Sequence, residues 1–548
     1  MRNGISKFFI GVAALALITA CTKKETAVQK GTQNQVFHKG NGTEVQELDP
    51  HIVTGVPEHN IISALFEGLV DEDPVDLHPV PGMAESWTIS PDKKTYTFKI
   101  RKGAKWSNGD AFTAHDFVYG WKRVLSPALA GEYAYMLFYV KNAEAYNQKK
   151  ITDFSQVGVK ALDDHTLQVV LHSPTPFFLS LLQHYSTFPA HQKTIEKFGA
   201  IDARGTKWTR PENMVSNGPF TLKTWELNKI ITVVKNPNYW DAAVVKLNEI
   251  NFYPTEQIQT EERMFRSGDL HVTEQVPLNK IEVYKKDEPN LIRIDPYLGT
   301  YYYRFNVTKA PFDNEKVRRA FSMSIDRKLI VERVTKGGQM PANAFVPPNT
   351  AGYTSRARVP DDIEAAKKLM AEAGYADGKN FPKAEIVYNT SESHKIIAEA
   401  LQQMWKKNLG VDVQLTNQDW KVYLNSQKTL AYNLSRAGWI GDYPDPNTFM
   451  DMFVTNGGNN QTGWSSKQYD DYIRQAGLTD DQAKRYEIFQ KAEELLMKES
   501  PILPIYTYTS VYLLSPDVKG WNPTIVNHHP WKHVYLEASE KNTKLSSN

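Results

Sequence analysis

The side chains with the clearest chemical potential lie in LSRAGWIGDYPDPNTF, Leu434 to Phe449. Arg436 stands near its start and Asp442 follows the strand-like run, with Ala437, Gly438, Trp439, Ile440 and Gly441 between them. Glycine weakens a strand unless another backbone must come close, so this run is expected to offer its main chain to a partner. Pro-Asp-Pro-Asn-Thr-Phe reads as a helix start with Asp445 at the N-cap and Pro446 at the first helical position. With capping assigned to Asp445, Asp442 has no local task. It sits at the C-terminal end of a strand, where ligands of open α/β sheets gather. An Asx-type turn bond is the other reading of Asp442, and on residue types alone the two stand level.

Enzyme templates are absent. The chain has no G-x-S-x-G elbow, no G-x-x-x-x-G-K-[ST], no H-E-x-x-H and no G-x-G-x-x-G. His528-His529-x-x-x-His533 is the best metal candidate, but Pro530 interrupts the helical spacing that would put two imidazoles on one face, so loop histidines at the surface are expected. No catalytic residue, metal or cofactor is assigned, and a non-enzyme is expected.

Local pattern gives the scaffold around Asp442. TYTFKI (Thr95–Ile100) alternates with period two, Asn108-Gly109 suits a tight turn, and Thr113-x-x-Asp116 resembles a capping box opening AHDFVYGWKRVL. HTLQVVLH and KIITVVK are further strands. Beyond residue 300, YYYRFNV leads to the helix NEKVRRAFSMSIDRKLIVERV, and DIEAAKKLMAEAGY stops at Gly374. AEIVYNTS, the helix SHKIIAEALQQMWKKNLG and VDVQLTN continue the alternation, which predicts a mainly parallel α/β sheet in this half. The helix DQAKRYEIFQKAEELLMKES and the strand ILPIYTYTSVYLL close the pattern.

A chain of 548 residues is too long for one core and is expected to hold two to four packing units. Lys and Arg number 64 against 62 Asp and Glu, a net charge of +2, which makes no case for nucleic acid. The single cysteine, Cys21, excludes an intrachain disulfide. It follows Arg2, Lys7 and the apolar run FFIGVAALALI, too short to span a bilayer and suited to an export signal. Ile18-Thr19-Ala20-Cys21 resembles a bacterial lipobox, which predicts a lipid anchor on Cys21; cleavage after a small residue such as Ala16, with Cys21 a stray thiol, is the alternative. Thr22 to Gln35 is polar without apolar periodicity and reads as a flexible tether.

AESWTISPDKKTYTFKIRKGAKWSNGDAFTAHDFVYGWKR, with ELDPHIVTGVPEHNIISALFEGL, YLGTYYYRFN, APFDNEKVRRAFSMSIDR, YNTSESHK, NQDWKVYL and SRAGWIGDY, forms one set of long motifs. Together they resemble the oligopeptide-binding proteins of ABC peptide importers, solute-binding proteins of family 5, over nearly the whole mature chain. The resemblance implies a two-lobed α/β flytrap with an extra domain inserted in the first lobe. Residues 1–20 would be the signal, 21–35 the tether, 36–68 with 192–298 and 508–548 the first lobe, 69–191 the inserted domain, and 299–507 the other lobe. Hinges are expected near Tyr297–Tyr301 and Tyr506–Ser510.

The resemblance also implies a short peptide bound extended. Gly438, Trp439 and Ile440 would lend backbone groups, and Asp442 would receive the terminal ammonium. Val56 and Tyr119 would complete the site on closure, with Tyr302, His394, Trp420 and Arg436 on the far lobe. Arg436, His394 and Lys309 would be cations at graded distances for ligand carboxylates. A glutamate and an arginine of side-chain pockets in those relatives correspond to Thr54 and Gln427. A disulfide in enteric relatives joins the positions held here by Gly299 and Ile440. By the same resemblance the protein would be a monomer without cofactor in the bacterial envelope, delivering peptides to an ABC permease; those relatives are soluble in the periplasm, whereas the Cys21 lipobox predicts a lipid anchor here, in the periplasm or on the outer membrane-facing side. The rivals are a binder of murein-derived peptides or another small solute, and a surface interaction protein that has lost transport.

Overall fold

The computed structural model describes residues 25–539. The signal, the Cys21 lipobox and the first tether residues lie outside them. The rest of the expected tether is not loose: Ala27–Asn34 is a helix. Thr26 and Gln29 cap it reciprocally, the Gln29 N–H donating to Thr26 Oγ1 at 3.1 Å and the Thr26 N–H to Gln29 Oε1 at 2.9 Å. Polar composition hid a local capping signal.

Among the described residues three larger sheets stand beside two two-stranded ones. Val36–Gly40, Glu249–Tyr253, Ile230–Lys235 and Phe220–Glu226 form the first, with one parallel pair and two antiparallel ones. Ala84–Ile89, Thr95–Ile100, Thr166–Val170 and Val159–Asp163 form an antiparallel second sheet inside the stretch expected as an insertion. The third has six strands in the order Met340–Pro341, Ile502–Leu513, Ile292–Phe305, Leu434–Ile440, Ala384–Asn389, Val413–Gln418. Only its last two pairings are parallel; the other three are antiparallel. The expected mainly parallel sheet is therefore a mixed one, because helix–strand alternation does not encode the direction of the long Ile292–Phe305 and Ile502–Leu513 strands.

Those two strands reach two separate packing regions. Ile292 and Leu513 pack with Val276, Ile281 and Tyr284 in a small core at one end, while Tyr302–Phe305 enter the six-stranded sheet at the other. Their ladder loses regular register between Pro296 and Thr300 and again between Tyr301 and Tyr302.

Local signals fold as their chemistry predicts. In Thr95–Ile100 the alternate residues Tyr96, Phe98 and Ile100 are buried. Asp116 Oδ2 accepts the Thr113 N–H at 2.7 Å at the start of Ala114–Val124. Gly410 ends Glu392–Leu409 at φ +71°. One expected helix is broken: Glu315–Met323 stops, and Asp326 recaps the chain by accepting the Leu329 N–H at 2.8 Å.

Candidate functional site

The Leu434–Ile440 strand pairs along its whole length with Ile292–Phe305. On its other side it meets Ala384–Asn389 only at Leu434 and Ser435. From Arg436 onward that edge has no strand neighbour among the described residues. Backbone polar groups of an antiparallel strand alternate between its two sides. The Gly441 N–H donates to Leu298 O at 2.7 Å, which puts odd-numbered residues toward Ile292–Phe305. Arg436 O faces the other way, accepting from Tyr423 Oη at 2.5 Å and Gln427 Nε2 at 3.0 Å. Gly438 and Ile440 thus turn their amides to the open edge. Trp439 turns its amide toward Ile292–Phe305 instead, and its indole Nε1 donates to Thr448 O at 2.7 Å.

This edge opens on a cavity of about 360 Å³ between the lobes, lined by Arg436–Asp442 and by segments of both sides, including Thr54–Pro57 and Tyr506–Val511. Asp442 lies at its end with its side chain 9% exposed. Tyr133 Oη donates to Asp442 Oδ1 at 3.2 Å and Thr448 Oγ1 to Oδ2 at 3.2 Å, while His184 Nε2 is 3.5 Å from Oδ1. Burial pushes this carboxyl up to about 7, hydrogen bonds from Thr448 and Tyr133 opposing the rise. His184 is itself held neutral by burial. Among the described residues Asp442 therefore faces hydroxyls and a neutral imidazole, with no cation in contact.

Asp445, three residues on, is spent internally. Arg485 clamps it with bonds of 2.8 and 2.7 Å, and Asp445 Oδ1 also accepts the Asn447 N–H at 2.9 Å. The helix starts at Asn447, so Asp445 supplies a cap-like bond from one residue further out than expected.

The glycine has an internal reason as well. A Cβ on Gly438 would come within 2.5 Å of Tyr508 Oη and 3.3 Å of Arg436 Nη2. Tyr508 Oη accepts from Arg436 Nη2 at 2.8 Å, and the Arg436 guanidinium sits 4.7 Å from the Tyr301 ring. Gly438→Ala is expected to push Tyr508 away and cost about 1–3 kcal/mol of stability, read by thermal unfolding.

The cavity gathers most of the residues singled out from sequence: Thr54, Val56, His394, Trp420, Gln427 and the strand from Arg436. Trp420 Nε1 reaches across to Glu58 Oε1 at 3.2 Å. Three placements differ from expectation. Tyr119 is buried on Ala114–Val124 away from the cavity. Tyr302 is fully buried and packs edge-on against Phe345, outside the cavity lining. Lys309 is exposed outside the cavity, with Nζ donating to Leu430 O at 2.9 Å. The graded set of cations also loses His394, whose imidazole burial and Arg436 hold well below its ordinary range.

Sequence reasoning missed Tyr133, His184, Tyr508 and Arg304. The alternating tyrosines of IYTYTSVYL were the one available signal, since alternate strand residues share a face. The loop histidines are not simply at the surface either: His528 Nδ1 is 2.9 Å from Glu72 and stacks on His59, and His529 stacks on Trp521.

A two-lobed α/β scaffold with a closed interlobe cavity and an unpaired strand edge defines a solute-binding protein of the flytrap type. The chain belongs to the bacterial extracellular solute-binding proteins, family 5, whose middle region it matches over residues 78–461. It is 40% identical to the periplasmic oligopeptide-binding protein OppA of Salmonella typhimurium, covering 98% of this chain and 99% of that one. Haemophilus influenzae OppA in complex with RPPGFSPFR superposes with a TM-score of 0.87 at 37% identity, covering 92% and 99% of the two chains. The Escherichia coli murein tripeptide-binding protein MppA superposes equally well, at 0.87, 37% identity and the same coverage. An unliganded open form of MppA, at the same 37% identity and covering 93% and 98%, gives only 0.62. This chain therefore superposes less well on the form described as unliganded and open.

Proposed function

We propose that this protein captures short peptides in its interlobe cavity, adds them as a strand to the Arg436–Ile440 edge, and delivers them to an ABC importer. The unpaired edge ending at the buried, uncompensated Asp442 carries this reading. Main-chain pairing gives affinity without reading side chains. A carboxylate short of a cation at the edge's end suits the peptide's terminal ammonium, a bond of about 1.5–3 kcal/mol beside about 0.5–1.5 for each neutral one. Closure comes from differential contact: a peptide held on the strand favours the closed form only through what it touches on the opposite lobe, here the Thr54–Pro57 segment. The lobe boundaries and hinges are those of the partition expected from sequence, and Cys21 would anchor the monomer to membrane lipid. The relatives' names, oligopeptide-binding and murein tripeptide-binding, support peptides as the solute class.

Native mass spectrometry of the freshly purified protein tests this. Short peptides with unblocked amino termini are expected to co-purify; a lone sugar or lipid would contradict the reading.

The affinity should pass through a maximum near neutrality. Below the raised pKa of about 7, ammonium binding must first expel a proton from Asp442, so affinity falls as pH falls, by up to about tenfold per unit. Above about pH 8 the ligand's α-amino group loses its charge. Calorimetry from pH 5 to 9 checks both limbs; a flat profile below pH 7 would separate binding from Asp442.

A further inference from the structure

Among the described residues five arginines are buried, and four have well-defined internal partners. Arg123 pairs with Asp49, Arg485 with Asp445 and Arg327 with Asp361, while Arg318 donates to the carbonyls of Phe312, Glu499 and Ser500. The fifth, Arg304, differs. It is 4% exposed, lines the interlobe cavity, and donates Nη1 to Gln461 Oε1 at 2.6 Å; its Nε, like those of Arg123 and Arg485, is buried without a partner, but unlike theirs its guanidinium meets no carboxylate. Its guanidinium lies 5.6 Å from the Tyr302 ring. Among the described residues it forms no ion pair.

A buried cation left unpaired is costly, and proteins retain one where something else supplies the counter-charge. The cavity's own carboxylates are committed elsewhere. Glu274 pairs with Lys39 at 2.6 Å, Glu256 accepts from Thr43 Oγ1 at 3.0 Å, and Glu261 accepts the amides of Glu274 and Gln275. Asp442 is held by Tyr133 and Thr448. The side chains that line the cavity near Arg304, such as Gln461, Tyr423 and Gln427, are neutral.

Arg304 is also distinct from Arg436. Arg436 stands opposite Tyr303 in the ladder and Arg304 opposite Ser435, so the two guanidiniums leave the sheet on opposite faces. An anion on one face is separate from an anion on the other.

We propose that Arg304 forms a specificity subsite for an acidic side chain of the bound peptide, on the Trp439 face of the strand and inward from the amino terminus. This rests on the peptide reading above. A carboxylate there would take charge-assisted bonds from Nε and Nη, whereas an isosteric amide would leave the charge unmet.

The test is calorimetry with tetra-alanine and its variants carrying Glu or Gln at the second or third position. At one of those positions Glu is expected to bind about tenfold or more tighter than Gln. Arg304→Met should abolish that ratio. Gln461→Glu should abolish it independently, by giving Arg304 an internal carboxylate without a change of volume, and thermal unfolding shows whether each variant is folded. Equal affinity for Glu and Gln at both positions, or a ratio that survives in a folded Gln461→Glu, would overturn the subsite while leaving tetra-alanine binding as evidence for peptide capture. Failure of the wild type to bind any tetrapeptide would instead remove the peptide reading, and this subsite with it.

Discussion

Asp442→Asn is expected to weaken a free-amino tripeptide by at least about 30-fold, since removing one partner of a buried charge pair costs roughly 2–5 kcal/mol. The same change should leave the melting temperature of the empty protein unchanged or slightly higher. In the empty site Asp442 is a desolvated carboxyl whose folded pKa of about 7 lies above its unfolded value. A carboxyl raised in this way favours the folded state fully below about pH 4, and that favour is lost as pH rises toward 7. At neutral pH the charge therefore adds nothing to the empty fold, and a neutral amide of the same shape removes the strain of burying it. A large fall in melting temperature would mean that Asp442 is a structural turn carboxylate.

Asp445→Ala is expected to do the reverse. Arg485 is 4% exposed along its side chain, makes both its bonds to this one carboxylate, and otherwise lies over the rings of Phe177 and Phe489. Removing the acid strands a buried guanidinium, at a cost of about 3–5 kcal/mol. Phe177 comes from the segment that carries the second sheet and stacks on Tyr443, so the loss should also loosen the packing of that segment against the six-stranded lobe. Denaturant unfolding of the variant measures this directly; a shift under about 1 kcal/mol would show that the pair is dispensable. Two acids three residues apart thus have opposite signatures, one in binding and one in stability.

What was legible in the sequence is what local chemistry encodes. Thr113 with Asp116, Gly374 and the alternation of TYTFKI need only their neighbours to fix a helix start, a helix end and a strand. Asp442 stood out because a nearby acid had a local role, although that role is mainly a clamp on Arg485, with the cap-like bond second. Strand direction was not legible: the pattern of Ile502–Leu513 is the same whether it runs parallel or antiparallel to Ile292–Phe305. Nor could the sequence alone place Tyr133 and His184, which reach Asp442 from a far earlier segment. Protonation was equally hidden, since His394 reads as a cation until its burial beside Arg436 is known. Family resemblance pointed to most of the cavity residues, but also to Tyr119, Tyr302 and Lys309, which do not line the cavity.

The central claim is that an ammonium group and Asp442 meet at the end of the open strand edge. A thermodynamic cycle reads that contact directly: calorimetry of tri-alanine and N-acetyl-tri-alanine against the wild type and Asp442→Asn. Strong coupling is predicted, with acetylation costing the wild type at least about 30-fold and costing Asp442→Asn only a few-fold. Equal losses in both proteins would place the amino terminus away from Asp442 and contradict the account.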